Sequence, residues 1–131
     1  MRTEEFLREA TALPGLSGNE AAVSAYIAQA FRPYCDEVRI DRLNSVIGRI
    51  QGTGPKVMIC AHLDEIGLMG SRIETDGAVR VTPVGGVDPR ILPGMRVTVY
   101  GRQKLLGVIG AKAPHLLTAA DRKKNYRMED L

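Results

Sequence analysis

The sequence predicts an α/β opening followed by a second, all-β segment. Three observations carry this. Apolar residues recur at helical spacing between residues 3 and 31. An apolar run at residues 57–61 delivers a histidine. From residue 66 onward, short apolar runs alternate with glycine-containing breaks. Recurrence at three and four positions is the mark of a helix face, and short alternating runs bounded by turn residues are the mark of strands.

A first helix is expected from about residue 3 to residue 13. Phe6, Leu7, Ala10 and Leu13 share one face, Glu4 and Glu5 suit the N-terminal dipole, and Pro14-Gly15 ends it. Ser17-Gly18-Asn19-Glu20 reads as a capping box, with Ser17 as N-cap and Glu20 at N3 of a second helix; a catalytic Glu20 is the alternative, but capping accounts for the residue fully. Val23, Ile27, Ala30 and Phe31 form its stripe, and Pro33 stops it. Val38 and Ile40 alternate with charged residues as a half-exposed strand. Val46, Ile47 and Ile50 give another after a turn at Leu43-Asn44-Ser45.

Residues 57–61 are apolar on both faces, so a strand inside a covered sheet is expected, with His62 at its carboxyl end. Residues two apart on an extended chain point to one side. Asp64 therefore stands beside His62, and a carboxylate so placed fixes a ligand imidazole's tautomer. His62 and Asp64 form a candidate half of a metal site. Glu65 points to the opposite face.

Further strands are expected at residues 66–73, 78–83, 95–100 and 107–110, with Asp76-Gly77 as a hairpin signal. This reads as the start of a small β-barrel or sandwich. Asp88, in a glycine-rich loop, is expected to cap a turn. Gly85-Gly86 is followed by no helix start or lysine, so it makes a poor phosphate loop.

The 131 residues are 44% hydrophobic and 25% charged, a globular composition with no apolar run of membrane-spanning length. Residues 1–10 contain no signal-peptide core, which makes a cytoplasmic location the default expectation. Cys35 and Cys60 lack metal-site spacing, and Cys60 reads as a buried thiol. Net charge is +3, with Arg102, Lys104, Lys112, Arg122, Lys123, Lys124 and Arg127 gathered toward the end of the chain. Tyr126 is the single aromatic among them, so a solvated basic surface is expected and not a nucleic-acid partner.

The stretch Ala61-His62-Leu63-Asp64-Glu65-Ile66-Gly67-Leu68-Met69 resembles the metal-ligand segment of the M42 metallo-aminopeptidases, the glutamyl-aminopeptidase and tetrahedral-aminopeptidase group. Residues 84–90, 92–97, 107–110 and 114–118 are similar to further family motifs in the same order. The resemblance implies an α/β catalytic domain with an inserted β-barrel-like domain. Residues 1–65 would open the first and residues 66–131, ending in a basic tail, would be an incomplete second.

It also implies hydrolysis of N-terminal residues from peptides with two divalent ions, zinc or cobalt, and assembly into homo-oligomers. His62 becomes a metal ligand and Asp64 the residue that orients it. His115 is the other histidine and matches no ligand position. The remaining family ligands and the general base have no counterpart here. At most one ion, weakly bound, is therefore expected on this chain, and no activity from it alone. The alternative is a non-catalytic remnant that acts only in association.

Overall fold

The structure, a computed structural model, describes residues 2–112, 114–118 and 127–128. Two compact units divide the chain, Met1–Ile66 and Gly67–Leu131. Most of the basic stretch at residues 122–127, Arg127 apart, lies outside the described residues.

In the first unit, helix α1 spans Thr3–Thr11 and helix α2 spans Ala21–Phe31. The helix periodicities are matched to within two residues at the end of α1. Phe6 of α1 stacks on Tyr26 of α2 with ring centroids 5.6 Å apart. Strands β1 (Glu37–Ile40) and β2 (Val46–Arg49) form an antiparallel hairpin, with Glu37 opposite Arg49 and Ile40 opposite Val46. Asp41 closes it by accepting the backbone N–H groups of Leu43 and Ser45. Asn44 takes the left-handed conformation, φ 62°, that asparagine tolerates in such a turn.

α2 packs on both strands. Its inward side is Val23, Ser24 and Ala28, rotated from the expected stripe; Phe31 is partly exposed. The rotation has a polar cause. Ser24 is fully buried and donates its hydroxyl to the Asn44 carbonyl at 2.6 Å, tying the helix to the hairpin turn. A buried hydroxyl with a partner is tolerated in a core.

Two expectations fail here. The capping box does not form: the N-cap of α2 is Glu20, with no side-chain cap bond, and Ser17 turns elsewhere. The covered strand at residues 57–61 is also absent. No described residue pairs with that stretch, and Val57, Met58 and Ile59 are 84%, 85% and 94% exposed. β1 and β2 pair only with each other, and the stretch joins neither open edge of that ribbon. Cys60 is accordingly exposed, not buried; it and Cys35 are free thiols.

In the second unit, strands β3 (Gly67–Ile73) and β4 (Val79–Val84) pair antiparallel around Asp76-Gly77, as the turn signal indicates. Gly77 has φ +89° and the Asp76 carboxylate accepts the N–H of Ala78. Strands β5 (Arg96–Tyr100) and β6 (Lys104–Val108) form a second hairpin. The last strand begins three residues before the expected run at 107–110. A 3-10 turn at Pro89–Ile91 has Asp88 as its N-cap, as expected. Leu92 and Ile109 are the buried apolar residues of this unit among those described. The architecture is thus mixed α and β. The three sheets are separate two-stranded ribbons, and no barrel closes among the described residues. No described helix is long and apolar enough to cross a membrane.

Candidate metal half-site

His62 and Asp64 lie in an irregular segment, not on a strand, yet their side chains meet. The His62 Nδ1 is 3.2 Å from Asp64 Oδ1 and 3.1 Å from the Asp64 carbonyl oxygen. Both neighbours accept hydrogen bonds and neither donates. Nδ1 must therefore carry the proton in the neutral ring, which leaves the Nε2 lone pair unused by Asp64. This is the tautomer a metal ligand presents when a carboxylate holds its other nitrogen. The His62 side chain is 86% exposed, so packing does not hold the ring.

Asp64 is itself held. Its Oδ2 accepts the Ser17 hydroxyl at 2.5 Å. That bond is the main reason its carboxyl sits below the usual aspartate range, with His62 a smaller contributor. The next residue, Glu65, anchors the segment from behind. Its N–H donates to the Gly15 carbonyl at 2.7 Å, its carbonyl accepts from Ser17 N–H, and its carboxylate accepts from Gly15 N–H. Leu16 and Glu65 form an isolated parallel bridge.

An open cleft of about 260 Å³ lies beside this pair, lined by His62, Asp64, Glu20, Asn44 and Ser45, with apolar walls that include Leu43 and Leu63. The Glu20 carboxylate accepts the Gly18 N–H at 2.5 Å and the Asn44 side-chain amide at 3.4 Å, and the Gly18 bond chiefly lowers its pKa. Two carboxylates and an imidazole with a free nitrogen suit a cation. Even so, among the described residues no three His, Cys, Asp or Glu side chains converge closely enough to hold one ion. The residues present fit one ligand position and its orienting partner, not a complete site.

His115 lies in the second unit, exposed on a 3-10 turn at Pro114–Leu116. Asp88 is engaged by Arg90 through its backbone N–H and its guanidinium, with the nearest ion-pair atoms 2.6 Å apart. Ser17, Glu20 and Asn44 neighbour the site, although sequence reasoning assigns them to capping and turn roles. Ser17 and Glu20 satisfied a local capping pattern, while the partner that Ser17 chooses is 47 positions away. No local spacing reports such a pairing.

The model of the M42 glutamyl aminopeptidase family matches residues 44–131. The chain is 38% identical over 114 residues to the lysyl aminopeptidase of Pyrococcus furiosus, covering 86% of this chain and 33% of that protein. The structure is similar to a TET aminopeptidase from a marine sediment archaeon of the Thaumarchaeota. There the TM-score is 0.91 at 32% identity, over 97% of this chain and 36% of that one. It is also similar to the TET1 peptidase of Pyrococcus horikoshii, described as assembling into a tetrahedron or a large octahedral shell. That likeness has a TM-score of 0.81 at 31% identity, over 97% of this chain and 38% of that one. The chain thus spans about a third of the length of the curated relative.

Proposed function

The chain belongs to the M42 glutamyl aminopeptidase family, and from that membership we propose that it carries part of the active site of a di-metal aminopeptidase. The whole protein's activity would be removal of N-terminal residues from peptides, in the cytoplasm, with zinc or cobalt as the ions. His62 is the metal ligand in this reading and Asp64 orients it. The single observation that supports it is the placement of His62 Nδ1 against two acceptors of Asp64, which leaves Nε2 for a metal.

A bound divalent ion would supply Lewis acidity toward a peptide carbonyl. This chain's residues contribute an imidazole of fixed tautomer and, in Glu20 and Asp64, carboxylates that draw cations to the cleft. One such ligand position holds at most a single ion weakly, because a stable site takes three or four protein ligands. We therefore expect no aminopeptidase activity from the 131-residue chain alone. Metal-dependent turnover of amino-acid anilides by the purified chain would overturn this. The ligand assignment has its own test: Zn²⁺ added to the chain should perturb the His62 ring resonances before those of His115, and a silent His62 would sink it.

In the same reading residues 1–65 open the catalytic domain and residues 66–131 begin a β-barrel-like insert. Assembly into homo-oligomers is proposed by analogy with the shell-forming relative. A second reading, a non-catalytic chain that acts only through association, draws support from the exposed apolar run at residues 57–59 and from Leu105, Leu106 and Val108 on β6.

A further inference from the structure

We propose that Ser17 is a positioning residue for His62, acting through Asp64. The inference rests on the reading of His62 as a ligand and adds a residue that reading does not use. His62 is too exposed to be fixed by packing. Its orientation depends on the Asp64 carboxylate, whose terminal torsion is broad and soft in a free aspartate. One hydrogen bond to that carboxylate leaves it free to swing. Two bonds, one to each oxygen, do not. Asp64 has both: Oδ1 faces His62 Nδ1 and Oδ2 accepts the Ser17 hydroxyl. A hydroxyl donating to a carboxylate makes one of the stronger hydrogen bonds available to a side chain.

The backbone holds Ser17 in place for this. Residues 15–17 run beside Glu65, joined by Glu65 N–H to Gly15 O at 2.7 Å and Ser17 N–H to Glu65 O at 3.3 Å. Gly15 also sits close to α2, where a Cβ would lie 3.3 Å from Val23 Cγ1. The helix-capping role that competes for the Ser17 hydroxyl is vacant, since α2 starts at Glu20 without a side-chain cap bond. The hydroxyl's recorded partner is the carboxylate that turns the imidazole.

The test compares the 131-residue chain with Ser17→Ala and Ser17→Thr. Long-range proton–nitrogen correlations of the ring, recorded at alkaline pH, report the tautomer, and His115 serves as internal reference. We expect His62 to be predominantly Nδ1–H in the native chain. Ser17→Ala should shift it toward the mixture of an unconstrained imidazole, and Ser17→Thr, which keeps the hydroxyl, should restore it. Zn²⁺ alone, titrated into the same samples, should bind about tenfold more weakly to Ser17→Ala, at the low end for loss of a ligand's supporting partner. Unchanged backbone shifts in β1 and β2 would show that the fold is retained. An unaltered tautomer in Ser17→Ala, or no recovery in Ser17→Thr, overturns the positioning role. A native His62 that ignores Zn²⁺ overturns the ligand reading instead, so the two failures are distinguishable.

Discussion

Asp64 and Asp88 show how much an aspartate's neighbours decide. Each was read from sequence as a local feature, one beside a histidine and one at a turn. Asp88 keeps to its own loop. The Arg90 guanidinium first, and the Arg90 backbone N–H second, lower its pKa from 3.8 to about 2. The folded value lies below the unfolded one. Its contribution to stability is therefore present above about pH 4 and is lost as pH falls through about 2. Carboxyl-carbon titration by NMR should find an Asp88 midpoint near 2. Arg90→Ala should return it toward the ordinary value of about 3.9. A native midpoint near the ordinary value would remove the ion pair from the account. Asp64, by contrast, takes its strongest partner from a loop before α2, and only the folded chain reveals it.

At the level of elements, α2 against the β1–β2 hairpin is the best-formed packing in the first unit. Gly48 of β2 makes it possible. A Cβ at that position would lie 2.7 Å from Cys35 Sγ and 2.9 Å from Phe31 Cδ2, closer than real atoms come. Gly48→Ala should therefore destabilise this unit by about 1–3 kcal/mol, the usual cost of overpacking. Urea unfolding followed by the amide signals of β1 and β2 would measure it. An unchanged midpoint would mean the helix end relaxes freely. The hairpins were legible from sequence because their turns are local chemistry, with Asp41 and Asp76 each capping backbone N–H groups. The stretch at 57–61 departs from its expected strand because a strand's existence depends on a neighbour, and its composition speaks only of what it would do if covered.

For the whole molecule the balance of apolar surface matters most. Among the described residues the buried hydrophobics are Val23, Ala28, Leu92 and Ile109, while Met58, Ile59, Ile73 and Leu106 are three-quarters exposed or more. Contiguous exposed apolar side chains drive association, and an unpaired extended segment offers backbone groups to a second chain. The 131-residue chain should self-associate at micromolar concentration. Ile59→Lys, at the most exposed of these positions, should shift it toward monomer. Size exclusion with light scattering would read both, and a native chain that runs as a monomer at all concentrations would contradict the expectation.

Composition and spacing alone determined that this chain opens with two helices, continues in hairpins, and carries an imidazole and a carboxylate two positions apart. Those are properties of neighbours along the chain, where torsional preference and side-chain period act without help. Which residues hold that pair was decided by the fold. The Ser17 hydroxyl and the backbone hydrogen bonds of Glu65 with Gly15 and Ser17 join segments far apart in sequence. A hydrogen bond across such a distance leaves no trace in local pattern.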